Sequence, residues 1–342
     1  LHCSSSEGEK MVFLPQTIVI LSILASAIHF NTAFIHGNIP QRFGKSNKRC
    51  TTTLKMIEKS IQFSKYEGLG NDFILIDNRD SSEPKVTPDQ AIQLCNRNFG
   101  IGGDGVIFVL PGQKGTDFTM RIFNSDGSEP EMCGNGIRCL TKYIADLEGK
   151  SEGKEVRYSI WTLAGEILGD ITKDGLVTVD MGMPEFTAEK IPTTLAENED
   201  GKVLNQPLEI DGKTYEVSCV SMGNPHAIVF VDDLDDVDLY RIGPMFENHP
   251  VFPARTNTEF VQVMSKSHLK MKVWERGAGP TLACGTGTCA LAVAAYLNGK
   301  SERNVRVTLP GGDLLIDWDE TTNRIFMTGP GTYVFSGTAR LD

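Results

Sequence analysis

Two short stretches decide how this chain folds: Met132-Cys133-Gly134-Asn135-Gly136 and, 151 residues later, Ala283-Cys284-Gly285-Thr286-Gly287. Apolar residues at helical spacing follow each one. In the first copy they are Ile137, Leu140, Ile144 and Leu147, closing at Gly149; in the second Leu291, Ala294, Ala295 and Leu297, closing at Gly299. The spacing predicts a helix behind each Cys-Gly-x-Gly. Working outward, Gly70-Asn71-Asp72-Phe73-Ile74 returns as Gly223-Asn224-Pro225-His226-Ala227, and Phe99 and Asp104 as Phe252 and Asn257, both at an offset of 153. Met120-Arg121-Ile122-Phe123-Asn124 returns as Met271-Lys272-Val273-Trp274-Glu275 at 151. Four blocks in one order at nearly one offset imply two similar lobes.

Around the helices lie strand-like runs. Ile74-Leu75-Ile76 and residues 227–231 are short and apolar, 269–274 alternates, and further strands are expected within 162–172, 177–181, 305–318 and 324–327. This is an α+β pattern: two quasi-symmetric lobes, each a mixed or antiparallel β-sheet wrapped around a central helix. We place the N-terminal lobe at residues 58–179, completed by 330–342, and the C-terminal lobe at 180–329.

The 342 residues include 33 basic and 44 acidic side chains, a formal charge of −11, with 40% hydrophobic and 23% charged residues. These are globular proportions, long enough for about two domains. Net acidity without a basic block argues against a nucleic-acid or anionic-membrane surface.

The first 57 residues read as an address. Met11 is a plausible start, making 1–10 upstream readthrough. Residues 11–33 carry an uncharged, largely apolar run (17–30) ending in small residues, a signal-peptide pattern; fourteen residues are short for a membrane span of about 20. Residues 34–57 contain Arg42, Lys45, Lys48, Arg49 and Lys55, several Ser and Thr, and no acidic residue, which is transit-peptide composition. Together they resemble a two-part address to the stroma of a secondary plastid; plain secretion is the alternative. The leader holds six basic and two acidic groups, so its removal takes the charge from −11 to −15. Six of the eight cysteines remain: Cys95, Cys133, Cys139, Cys219, Cys284 and Cys289, too sparse for a disulfide scaffold and suited to a reducing compartment.

Each Cys-Gly-x-Gly puts a thiol at a helix mouth, where unsatisfied N–H groups favour an anion and acidify the sulfur, and where glycines admit a ligand close to the backbone. Two equivalent thiols on facing lobes suit removal of a proton from one face of a carbon and its return to the other, with the helix ends stabilising the adjacent carboxylate. No cofactor or metal is required. A single such Cys is more often structural; two at equivalent points of a repeat reverse that balance. Cys95, Cys139, Cys219 and Cys289 read as core residues. Zinc held by Cys133, Cys139, Cys284 and Cys289 would need spacings unlike a zinc knuckle.

Gly100-Ile101-Gly102-Gly103-Asp104-Gly105 fits a dinucleotide fingerprint only formally: a helix-like 91–97 precedes it and a strand, 106–110, follows, the reverse of the required order. It reads as a turn. Asn71, Asn124, Asn224 and Asn257 stand at repeat positions and, with Glu275-Arg276, are suited to hold an ammonium and a carboxylate; each alone would be an ordinary turn residue. His226 either tunes a thiol or fills the wall.

Taken in order, Gly68-Leu69-Gly70-Asn71-Asp72-Phe73, residues 123–128, Met132-Cys133-Gly134-Asn135-Gly136, Gly223-Asn224-Pro225-His226, Glu275-Arg276-Gly277-Ala278-Gly279 and Ala283-Cys284-Gly285-Thr286-Gly287 make the chain resemble the diaminopimelate epimerases over residues 61–342. The resemblance implies an active site in the cleft between the lobes and pyridoxal-independent interconversion of LL- and meso-2,6-diaminoheptanedioate, late in lysine biosynthesis. It implies Cys133 and Cys284 as the two bases. The N–H groups of Gly134, Asn135, Gly285 and Thr286 would hold the reacting carboxylate, and Asn71, Asn124, Asn224, Asn257, Glu275 and Arg276 the substrate, with His226 in support. Where many bacterial relatives have Gln, this chain has Gly105. Its implied partner is the small-molecule substrate, with neither nucleic acid nor, in the mature form, membrane; a homodimer is an admissible assembly. Rival readings are another two-thiol racemase of the proline or hydroxyproline type and, in a different class, a thiol redox or zinc-binding protein. Facing thiols are also open to joining as a disulfide under oxidation.

Overall fold

The computed structural model describes residues 59–150 and 153–341. The leader segments 1–10, 11–33 and 34–57 lie outside the described residues. The first half runs β1 (Lys59–Gly68), β2 (Asn71–Asp77), α1 (Pro88–Cys95), β3 (Gly105–Pro111), β4 (Phe118–Asn124), α2 (Gly134–Leu147), β5 (Val156–Thr162), β6 (Gly165–Ile171) and β7 (Val177–Asp180). The second runs β8 (Gln206–Ile210), β9 (Lys213–Ser221), β10 (Pro225–Val231), α3 (Leu239–Glu247), β11 (Asn257–Ser265), β12 (His268–Glu275), β13 (Gly279–Thr281), α4 (Gly285–Leu297), β14 (Asn304–Leu309), β15 (Gly312–Trp318) and β16 (Ile325–Gly329). The chain then returns as β17 (Thr332–Leu341) to pair with β1.

The duplication is visible in the ladder directions. From β1 to β7, successive pairs are antiparallel, parallel, antiparallel, parallel, antiparallel and antiparallel. The series β9, β10, β11, β12, β14, β15, β16 repeats that order. β17 and β8 add the outer strand to β1 and β9 respectively. The halves join where equivalent strands β7 and β16 pair antiparallel, pairing Thr178 with Thr328 and linking their hydroxyls at 2.7 Å.

Register corrects one sequence match. Phe73 pairs with Gly105, whereas His226, the repeat of Phe73, pairs with Asn257. In the folded repeat Asn257 therefore corresponds to Gly105, not to Asp104, and Glu259 corresponds to Ile107. A parallel ladder counts residues from its own first bridge, so one residue gained in the preceding loop is invisible to a sequence offset.

Continuous apolar strands are explained by burial on both faces. On β2, Phe73 and Leu75 point to the core around α2, while Ile74 and Ile76 face α1 with Ala91, Leu94 and Cys95. On β10, Ile228 faces the central core, and Ala227 and Val229 face α3 with Ile242 and Phe246. Each half is thus a sheet curled around one central helix with a smaller helix outside. Both central helices share one apolar cluster, in which Ile137, Leu140, Ile144, Leu291 and Val293 are fully buried. Burial of each such side chain stabilises the fold by about 1.5–3 kcal/mol.

Several expectations shift in detail. The helix read at 91–97 begins earlier, at Pro88, because Thr87 caps it and forms a capping box with Gln90. Residues 305–318 form two strands, not one, since Pro310 and Gly311 turn the chain between β14 and β15. Within 162–172, β5 ends at Thr162 and β6 begins at Gly165.

Cys95, Cys139, Cys219 and Cys289 are core residues, none more than 3% exposed. Burial pushes their thiols up, Cys95 to about 11 and Cys289 to about 12. Folded thiols therefore hold protons that the unfolded chain releases near 9.0. This stabilisation is complete below that pH and is lost as pH rises from it through the folded values. Denaturant midpoints measured under reducing conditions should be level from pH 7 to 8 and fall between pH 9 and 11.

Candidate active site

Cys133 and Cys284 each occupy the N-cap of a central helix in nearly the same extended conformation, φ −139°, ψ 113° and φ −125°, ψ 108°. An N-cap side chain faces the first free N–H groups of its helix. The Gly136 N–H points at the Cys133 sulfur at 3.4 Å. The second glycine of each motif leaves little room for a side chain. A Cβ on Gly136 would lie 3.3 Å from Cβ of Cys133 and 3.0 Å from Ile107; one on Gly287 would lie 3.1 Å from Sγ of Cys284 and 2.4 Å from Glu259.

The two helix mouths meet. Cβ positions on Gly134 and Gly285 fall 3.4 and 3.3 Å from the methyl of the same side chain, Met327. The Asn135 amide crosses between them, donating to the Ala283 carbonyl at 3.3 Å and to Oδ1 of Asn71 at 3.1 Å. Oδ1 of Asn71 also stands 4.0 Å from the Cys133 sulfur. On the other side, Nδ2 of Asn224 lies 3.2 Å from the Thr286 hydroxyl, which is 3.7 Å from the Cys284 sulfur.

The remaining expected residues fall into two groups. Glu275 lies beside the Cys284 thiol, and its charge also reaches Cys133. Asn257 is a backbone pin: it donates to the Pro225 carbonyl at 2.8 Å and accepts from the Arg276 N–H at 2.9 Å. Arg276 itself is exposed and donates to the Ala254 carbonyl. Asn124 donates to the Ser128 hydroxyl at the C-terminal end of β4, where it pairs with Gly105. Gly105 sits in the β3–β4 ladder with the Phe123 carbonyl 2.9 Å from where its Cβ would be, leaving no room for a side chain. His226 touches no sulfur; its ring is fully buried between Asn224 and Glu259.

Two supporting residues, Glu247 and Glu259, escaped the sequence reading, and Asp104, read there as facing the substrate, supports Asn71. Asp104 accepts from Asn71 at 2.6 Å and is held by Arg97, which also pairs with Asp72. Glu247 accepts from the Gly277 N–H at 2.9 Å, the Trp274 indole at 2.7 Å and Arg255 at 3.0 Å, fixing the turn that carries Glu275 and Arg276. Glu259 lies under the first turn of α4. Its standing as the single charged residue of β11 was its only sequence signal.

Electrostatics correct the expectation of acidified thiols. Burial outweighs the helix end, so both thiols are raised. Cys133 is relieved by the Gly136 N–H and by the buried Arg138 guanidinium. Cys284 is pushed up further by the carboxylates of Glu275 and Glu259, against the pull of the Gly287 N–H. A surface depression lined by Ser64, Asp77, Arg79 and Ser336 contains neither sulfur.

This architecture is shared with solved structures. A phenazine biosynthesis protein of the PhzF family from Bacillus anthracis matches with a TM-score of 0.59 at 20% identity, covering 82% of this chain and 99% of that one. A hydroxyproline epimerase from Agrobacterium vitis matches with a TM-score of 0.57 at 14% identity, covering 83% and 93%. The family model for diaminopimelate epimerase matches residues 63–187 and 218–334. A diaminopimelate epimerase of a Nostoc species is 63% identical over 278 residues, 81% of this chain and 99% of that protein; one from a Synechocystis species is 62% identical over 282 residues, 82% and 100%. The chain belongs to the diaminopimelate epimerase family, isomerases that act on amino acids.

Thiolate, not thiol, reacts with an alkylating agent. Raised thiols mean slow iodoacetamide labelling at pH 7, with rates climbing through and beyond pH 9. Partly buried Cys133 should be labelled before Cys284, which is 4% exposed. Peptide mass spectrometry over a pH series checks both the order and the slope.

Proposed function

We propose that this protein interconverts LL- and meso-2,6-diaminoheptanedioate, using Cys133 and Cys284 as the two acid–base groups. The observation that carries the reading is the meeting of two Cys-capped helix mouths over Met327, bridged by Asn135. An α-carbon lying between the sulfurs gives its proton to one as thiolate and takes a proton from the other as thiol, which inverts the centre. Charge leaving the carbon builds on its carboxylate. The N–H groups of Gly134, Asn135, Gly285 and Thr286, in the first turns of the two central helices, are assigned to that charge, and helix-end dipoles need no reorganisation. Acid and base are both side chains, so the scheme asks for no cofactor.

The raised thiols fit this chemistry. One sulfur has to begin a turnover protonated, and a buried neutral thiol is an acid ready at neutral pH. Asn71, Asn124, Asn224, Asn257, Glu275 and Arg276 are assigned to substrate recognition, Arg276 and amide N–H groups taking carboxylate, and Glu275 and amide oxygens taking ammonium. A place in lysine biosynthesis follows from the substrate. The composition of residues 11–57, together with about 60% identity to proteins of Nostoc and Synechocystis, supports a plastid address.

Reduced protein given LL-diaminoheptanedioate without cofactor should form the meso isomer, read by chiral chromatography, and leave L-proline and hydroxyproline unchanged. Cys133→Ser and Cys284→Ser should each lower kcat by about 10²–10⁴-fold, while single variants still eliminate halide from a β-halogenated analogue. Turnover of proline instead, or normal turnover by both variants, would overturn the reading.

A further inference from the structure

Asn71 and Asn224 are repeats of one another, yet their amides are tied from behind by opposite chemistry. Nδ2 of Asn71 donates to Asp104, an acceptor only, at 2.6 Å. Its Oδ1 receives the Asn135 amide, whose own orientation is set by the Ala283 carbonyl. Acceptor-only groups anchor this chain at both ends, so it runs in one direction, and Asn71 turns its carbonyl oxygen toward Cys133.

Behind Asn224 the order is reversed. Its Oδ1 lies 3.0 Å from Nε2 of His226, and Nδ1 of His226 lies 2.7 Å from Oε1 of Glu259. His226 and Glu259 are both 0% exposed, and Oε2 of Glu259 has no partner among the described residues. A buried pair with net negative charge is strongly disfavoured. Two neutral-sum arrangements exist, a carboxylate with a doubly protonated ring and a carboxylic acid with a singly protonated one. Both leave the proton on Nε2, where it is donated to Oδ1 of Asn224. The Asn224 NH2 then faces Thr286 and the cleft.

We propose that Asp104 and the Glu259–His226 pair are positioning residues that fix the amides of Asn71 and Asn224 in opposite senses, so that one lobe presents an acceptor and the other a donor. The inference rests on the amino-acid epimerase reading. It says how a nearly two-fold site tells the ammonium side of its substrate from the carboxylate side: Oδ1 of Asn71 suits an ammonium or a thiol proton, and the NH2 of Asn224 suits a carboxylate oxygen. The first lobe holds the same position without the buried pair. Phe73 stands where His226 does and Ile107 where Glu259 does, both in the apolar core. Pair and apolar packing are thus alternative fillings of one cavity.

Two measurements test this. Long-range ¹⁵N–¹H correlation spectra of the reduced protein labelled at histidine, assigned with His226→Phe, should show a protonated Nε2 on His226. A lone-pair Nε2 would overturn the proposal, because Asn224 would then be turned the other way. The second uses the double variant His226→Phe/Glu259→Ile, which copies the packing of the first lobe and removes both buried polar groups together. It should stay folded and show KM for LL-diaminoheptanedioate raised by about tenfold or more, the scale of one lost hydrogen bond to a charged group, with a smaller change in kcat. Asp104→Asn should move KM in the same direction, and Asp104→Glu should restore part of it. Wild-type kinetics in the folded double variant would reduce the pair to structural filling. Absence of turnover in the wild type would instead defeat the epimerase reading and leave the histidine spectrum to be judged alone.

Discussion

The contact on which the rest depends is the meeting of the first turns of the two central helices. Met327 lies against both glycine-opened mouths, and the Asn135 amide reaches from one helix to the carbonyl before the other. Helix N-termini repel one another, because each carries the positive end of a dipole. Two of them stay this close because the Asn135 amide bridges them and because the surrounding sheet leaves neither helix another direction to face. The β7–β16 ladder supplies that constraint by joining the halves through equivalent strands. Once the helix ends are set head to head, an anion between them is the natural occupant, and a carbon attached to that anion is flanked by sulfur on both sides.

Within this near-symmetry the charges are arranged differently in the two halves. Arg138 is fully buried in α2 at the position that Cys289 occupies in α4. Glu259 is fully buried under α4 where Ile107 lies under α2. The cation favours ionisation of Cys133, and the carboxylates oppose ionisation of Cys284. A reaction that must start with one thiolate and one thiol takes that difference from residues that need not touch the substrate. The backbone is duplicated for geometry, and the buried charges differ for protonation.

Much of this was legible from the residues. Both central helices and both capping cysteines are visible because 3.6-residue periodicity and a repeated Cys-Gly-x-Gly reinforce each other, and strands buried on two faces announce themselves as apolar runs. The outer strands β1, β8 and β17 were not read. They are partly exposed and mix polar with apolar residues, so their identity comes from partners distant in sequence. α3 was missed because it is short and contains Pro244. The sign of the thiol shifts was misjudged for a related reason: a helix mouth is a local feature, whereas burial is decided by the whole fold. The equivalence of Asn257 with Gly105, and hence the isolation of the Glu259–His226 pair in one lobe, depends on ladder register, which no sequence offset contains.

The central claim is that two different groups handle the proton on opposite faces of one carbon. The most direct test runs the reduced wild-type protein on LL-diaminoheptanedioate in deuterium oxide and examines both isomers early, before back-reaction. If removal and return belong to separate thiols, the meso product carries deuterium at the inverted carbon while recovered LL substrate stays unlabelled. Deuterium entering recovered substrate as fast as product forms would mean that one group serves both faces, and would contradict the account.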